Sequence, residues 1–69
     1  MFFSTIVKIL LDNPETTFYI SRMTWDNSGY IECNSNDRIF TLIDKSSGVE
    51  REGYEIGMGD IMGCDWRIE

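Results

Sequence analysis

Two tryptophans, three tyrosines and one awkward arginine are the residues in this chain whose types and spacing could do chemistry. Arg22 stands three positions before Trp25, and the turn sequence Asp26-Asn27-Ser28-Gly29 follows at once. A tryptophan at a strand end beside a polar turn can stack on a nucleobase, as can Tyr19, Tyr30, Tyr54 and Trp66. For any one ring taken alone, core packing is the ordinary use. Arg22 shares a strand face with Phe18 and Ile20. An arginine so placed needs a partner: a carboxylate, a subunit interface or an anionic ligand. Gly57-x-Gly59 precedes a short helical turn, where backbone N–H groups can meet a phosphate. The pair lacks the lysine of a P-loop and the spacing of a dinucleotide fingerprint. On its own it reads first as glycines that let the chain turn out of a strand.

Bond-making chemistry has little to work with. The chain has no histidine, which removes the commonest general base. Cys33 and Cys64 would act as nucleophiles only beside an activating group. Cys64 sits next to Asp65, whose negative charge raises a thiol pKa, so both cysteines are expected to be buried and structural. Asp60 and Asp65 are a candidate carboxylate pair, but dispersed acids on a small acidic chain usually face water or cap turns. Two cysteines without histidine do not make a zinc site. The expectation is a protein that is not an enzyme, with no catalytic residues, no metal and no cofactor. Twelve acidic against six basic residues give a net charge of −6. That argues against nucleic acid, which needs a positive footprint, and suits a basic partner. The apolar N-terminal run breaks at Asp12 and contains Lys8. It is too short to span a bilayer and lacks signal-peptide features. A cytoplasmic protein with reduced thiols and no membrane contact is expected.

The elements that must position these residues fit one domain, 1–69. Phe3, Ile6, Val7 and Leu10 recur at helical spacing, with Ser4 as an N-cap candidate and Pro14 stopping the helix near Asp12. Thr17 to Trp25 reads as a strand with large apolar groups on both faces. Strands follow at Tyr30–Cys33, Arg38–Ile43 and Val49–Ile56, separated by Asn/Ser/Gly/Asp turns. The charges of Glu50, Arg51, Glu52 and Glu55 mark the fourth as an exposed strand or an edge. A short helical turn at Asp60–Met62 leads to a last strand, Asp65–Glu69. Trp66 carries too much apolar area to be left in water. The fold class is α+β: one N-terminal helix packed on a roughly five-stranded antiparallel sheet, arranged mostly as a meander. A core this small is marginal alone. With a disulfide framework and a metal set aside, self-association is the remaining source of cover.

These residues resemble a known pattern. Phe3 and Leu10 in an opening helix, then Arg22-x-x-Trp25-Asp26-Asn27-x-Gly29-Tyr30-Ile31, then Asp60-Ile61-Met62-x-x-Asp65-Trp66-Arg67-Ile68 are similar to the small phage family of Thoeris anti-defence sponges, the second such family described. Members show an arginine, a tryptophan and an Asn/Gly-rich turn, and end in an Asp-Ile/Leu-Leu-x-x-Asp-Trp-Glu motif. The resemblance covers most of the chain. From Cys33 to Ile56 it holds only in outline. The proline-containing segment that often precedes the last helix is replaced here by Gly57-Met58-Gly59. The resemblance implies a helix-plus-sheet protomer, a homo-oligomer (a dimer or tetramer) and a non-enzymatic function in the cytoplasm of an infected bacterial host. That function is tight binding of a cyclic ADP-ribose-type nucleotide signal, so that the defence effector is never activated.

Written physically, such a sponge must hold an adenine, two riboses and a pyrophosphate between subunits. Trp25 would stack the base. Arg22 would pair with phosphate through its guanidinium fork. Asn27 and Ser28 would bond ribose hydroxyls, Gly57 and Gly59 would offer backbone N–H groups, and Asp65 would order the last strand or accept from a ribose hydroxyl. Sequestration asks for affinity on the order of nanomolar, about −12 kcal/mol. The alternative is a small acidic phage inhibitor that covers a basic surface on a host protein, such as a CRISPR nuclease or another defence enzyme.

Overall fold

The structure is a computed structural model that describes residues 1–69. The apolar spacing at the N-terminus winds α1 (Phe3–Asp12), with Ile6 and Leu10 buried and Phe3 and Val7 half-buried along the same stripe. Ser4 does not cap it. The cap is Phe2, whose carbonyl accepts from the Thr5 and Ile6 N–H groups, and no side chain contributes. The helix stops where Asn13, ahead of Pro14, leaves helical geometry at ψ 65°.

Five antiparallel strands follow: β1 (Phe18–Arg22), β2 (Gly29–Asn34), β3 (Ile39–Asp44), β4 (Glu50–Glu52) and β5 (Trp66–Ile68), with the short helix α2 (Met58–Ile61) before the last. Their spatial order is β4-β3-β2-β1-β5. The first four form the expected meander. β5 instead joins the far edge beside β1, pairing Ile20 with Ile68, Ser21 with Arg67 and Arg22 with Trp66. Met1 closes the outer side of β5: its amine donates to the Trp66 carbonyl at 2.7 Å, and the Trp66 N–H donates back to the Met1 carbonyl at 3.0 Å.

α1 covers one sheet face. Ile6, Leu10, Ile20, Ile31, Cys33 and Trp66 form the core there, flanked by Phe3, Phe18, Trp25, Phe40, Leu42, Tyr54, Ile56 and Ile68. No helix lies on the other face. By register it carries Tyr19, Ser21, Tyr30, Glu32, Thr41, Ile43 and Arg67, which is more polar than a strand apolar on both faces implies.

Three strands are shorter than their composition predicts: the last keeps Trp66–Ile68 of the expected Asp65–Glu69, and two others stop early for a local reason. The run expected from Thr17 to Trp25 ends at Arg22 and becomes a 3-10 turn over Met23–Trp25. Asp65 causes the change. Its backbone carbonyl accepts from the Met23 N–H at 3.1 Å, and its side chain then accepts from the Thr24 N–H at 3.1 Å. Asp26 and Asn27 complete the reversal with φ of 49° and 62°, a conformation these two residue types tolerate. Trp25 is thereby turned off the face of Tyr19 and onto the core side. The fourth strand, expected to reach Ile56, stops at Glu52 because Gly53 takes φ 71°. Tyr54 and Ile56 then pack against the core as the connection crosses on the helix side. Cys33 is buried as expected; Cys64 is exposed, because it lies in the bend before β5. No helix is long and apolar enough to cross a membrane.

Candidate functional site

Arg22 ends β1 on the core side, two residues beyond buried Ile20. Its guanidinium finds both nearby carboxylates. Nε donates to Asp65 Oδ1 at 2.6 Å and Nη1 to Asp60 Oδ1 at 2.8 Å, with the arginine side chain only 16% exposed. The hydrogen bond from Arg22 holds the Asp65 carboxyl below its usual range, and the two carboxylates raise the arginine in turn. Gly63 passes close over the group: a Cβ at that position would stand 2.5 Å from Arg22 Nη2. Trp66 closes the arrangement. It is 1% exposed, and its Nε1 donates to the Asp60 carbonyl at 2.8 Å. Its ring packs on Phe3 at 5.1 Å between centroids and edge-on to Trp25 at 5.4 Å. Arg22, Trp25, Asp60, Asp65 and Trp66 therefore form one clasp that ties the β1 turn, α2 and β5 together. Two nitrogens of Arg22 are committed to carboxylates, so the fork expected to meet a phosphate is occupied within the protomer.

Trp25 is half-buried, and beside it opens a groove of about 260 Å³ lined by Ser28, Gly29, Leu42, Asp44 and Tyr54 among others. The groove joins two of the expected ligand residues, Trp25 and Ser28, and adds an aromatic ring, Tyr54. Asp44 at its rim is occupied with the loop it opens. It accepts from the Ser46 hydroxyl at 2.7 Å and from the Ser46 and Ser47 N–H groups, bonds that keep its carboxyl below the usual range. Gly29 permits the groove floor to approach β3, since a Cβ there would lie 2.8 Å from the Ile43 carbonyl oxygen.

The remaining expected residues lie elsewhere. Gly57 caps α2, and its carbonyl accepts from the Asp60 and Ile61 N–H groups. Gly57 and Gly59 are both exposed with open space around them, outside the groove lining. Asn27 turns to the uncovered sheet face, where its Oδ1 accepts from Arg67 Nη2 at 2.6 Å. Around that contact a second polar group assembles. Arg67 Nε donates to the hydroxyl of Ser21, which is 1% exposed, at 3.1 Å. Ser21 donates to Glu69 Oε1 at 3.1 Å, and Lys45 Nζ donates to the same oxygen at 3.3 Å. Lys45 also stands 5.5 Å from the centroid of the Tyr30 ring, which Tyr19 meets edge-on at 5.6 Å. Burial disfavours the charged form of Glu69, and its bonds to Ser21 and Lys45 outweigh that, leaving its carboxyl below the usual range.

The predicted set thus divides among a clasp (Arg22, Asp65), a groove (Trp25, Ser28), the opposite face (Asn27) and the α2 surface (Gly57, Gly59). Lys45 and Arg67 were missed; Tyr54 was named as a stacking ring but not as the neighbour of Trp25 and Ser28. Alternation carried a signal for one of them: with Trp66 and Ile68 facing the core, Arg67 has to face the other way. Tyr54 follows Gly53, whose φ of 71° ends β4, and Lys45 opens the loop after β3; composition encodes neither placement. No protein-family model, curated protein or solved structure matches the chain.

Proposed function

We propose that this chain is a phage anti-defence protein that binds and sequesters a cyclic ADP-ribose-type nucleotide signal in the infected host's cytoplasm, acting as a homo-oligomer and making or breaking no bond. The observation that carries the reading is the meeting of the two sequence segments behind the resemblance. Arg22-x-x-Trp25 and Asp60…Asp65-Trp66 lie 35 or more positions apart along the chain. They converge in one clasp that sets Trp25 at the edge of a groove of about 260 Å³. In this scheme Arg22 and Asp65 hold the tryptophan turn in place. Trp25 and Tyr54 offer rings to the base, and Ser28 offers a hydroxyl to a ribose.

A single protomer presents a shallow surface, and tight capture calls for a second. An apolar depression of about 520 Å³ between α1 and α2 supports self-association. It is lined by Phe2, Phe3, Val7, Ile61 and Met62, with Phe2 63% and Met62 75% exposed. In this reading the depression is the face that a second copy covers. The alternative reading, an inhibitor that covers a basic surface of a host protein, draws on exposed Glu50 and Glu52 on the edge strand β4 and exposed Glu55 just beyond it.

The deciding experiment incubates the purified protein with cyclic ADP-ribose isomers, removes free nucleotide, heats the protein and identifies what is released. Intact nucleotide in stoichiometric amount is expected. No uptake of any isomer at micromolar protein refutes the sponge and leaves the inhibitor reading.

A further inference from the structure

A nucleotide with a pyrophosphate needs a cationic seat, and the chain has six basic side chains to provide it. Lys8 pairs with Asp12 on the outer side of α1, at 3.6 Å and largely exposed. Arg22 is consumed by the clasp. Arg38, in the β2–β3 turn, and Arg51, on β4, are exposed on separate elements. Lys45 and Arg67 are the two that converge. We propose that the Lys45–Arg67 corner of the uncovered sheet face is an anion seat for the ligand's pyrophosphate, occupied in the free protein by the carboxylate of Glu69.

The geometry supplies three reasons. First, an anion is already bound there: Glu69 Oε1 accepts from both the Ser21 hydroxyl and the Lys45 ammonium. A phosphate oxygen is the same kind of acceptor with more charge behind it. Second, the hydroxyl is aimed. Arg67 Nε donates to Ser21 Oγ, so the Ser21 proton is left to point at the seat, in a position almost closed to water. Third, the seat adjoins the Trp25 groove across one turn. Asn27 bonds Arg67 on one side of that turn, Ser28 lines the groove on the other, and the Lys45 N–H donates to the Ser28 carbonyl at 3.1 Å. The ring of Tyr30 beneath Lys45 helps hold the ammonium in place. Glu69 is then a built-in competitor, displaced when the ligand's diphosphate arrives.

The choice of pyrophosphate rests on the nucleotide reading above; the anion seat itself does not. Wild type, K45M, R67M and E69A would be titrated with the captured cyclic ADP-ribose isomer and, separately, with inorganic pyrophosphate. The side-chain nitrogen resonances of Lys45 and Arg67 would be followed by NMR. K45M and R67M should each weaken both ligands at least tenfold, and E69A should tighten both at least threefold. The gain in E69A guards against a variant that merely unfolds, since an unfolded chain does not bind more tightly. Wild-type affinity in K45M and R67M, or weaker binding in E69A, overturns the proposal. Absence of pyrophosphate-induced shifts in both wild type and E69A does so too. If no cyclic nucleotide is captured yet pyrophosphate moves the Lys45 and Arg67 signals, the seat stands and the sponge falls. If capture is tight but indifferent to K45M and R67M, the reverse holds.

Discussion

Replacing Trp66 by Phe tests whether the clasp holds the fold together. Trp66 is 1% exposed and touches Phe3, Trp25 and the Asp60 carbonyl. Aromatic side chains bury roughly 150–250 Å², tryptophan the most, so the smaller ring forfeits on the order of 45 Å². At about 25–30 cal/mol per Å² that is about 1–1.4 kcal/mol. The indole N–H is lost as well, and a hydrogen bond of this type contributes about 1 kcal/mol net. The sum is roughly 2–2.5 kcal/mol, before any gain from the ring neighbours relaxing inward. A chain of this length has a total stability on the order of 3–10 kcal/mol, so the variant should fold but with little reserve. Its urea midpoint, followed by far-UV circular dichroism, should fall with the slope unchanged. Its Tm should drop by roughly 10–20 °C. Trp25→Phe is the control: Trp25 is half-buried and none of its hydrogen bonds runs through the indole nitrogen, so the cost should stay under about 1 kcal/mol. A Trp66→Phe variant within about 0.5 kcal/mol of wild type would show that the clasp does not hold the sheet closed.

Three further outcomes follow from the same contacts. Trp25→Ala should abolish nucleotide uptake while leaving oligomer size by analytical ultracentrifugation unchanged; dissociation or unfolding would make Trp25 a core residue only. In wild type, Asp65 ionises more readily folded than unfolded. Its contribution is therefore present above the ordinary carboxylate pKa and is lost as pH falls through the lower folded value, so Tm should decline below about pH 4. Arg22→Met leaves the carboxylates of Asp60 and Asp65 without their shared counter-charge, and its Tm should instead rise between pH 7 and pH 5; parallel Tm–pH curves for the two proteins would refute the ion-pair account. Burial pushes the Cys33 thiol up to about 11, whereas Cys64 is exposed. Iodoacetamide at pH 8 should therefore modify Cys64 within minutes and Cys33 only on the timescale of unfolding, as read by intact mass.

The sequence carried the helix, the number of strands and their antiparallel sense because each depends on local patterning. Ile6 and Leu10 fall four apart, and Pro14 stops the turn after them. The β2–β3 pairing follows from two apolar runs around a short polar turn. What composition could not carry were single-residue decisions made by distant partners. Met23–Trp25 has good strand residues, yet Asp65, forty positions on, takes their N–H groups and bends them into a 3-10 turn. The same contact explains why Arg22 was the right residue to single out and why its partner was misjudged. An arginine on an apolar face needs an anion, and the protein supplies two of its own. Trp25 with Ser28 was legible as a strand end beside a turn. The Lys45–Arg67 corner was not, because it depends on β5 lying next to β1 rather than next to β4.

That placement has a kinetic side. β1 is an interior strand whose outer partner comes last among the five strands in chain order, so its edge stays open for as long as β5 is missing. The half-built sheet displays Phe18 and Ile20 beside unpaired backbone groups, the kind of surface that recruits strands from other nascent chains. Yield during rapid expression should therefore depend less on how stable the finished molecule is than on how quickly the closing strand arrives.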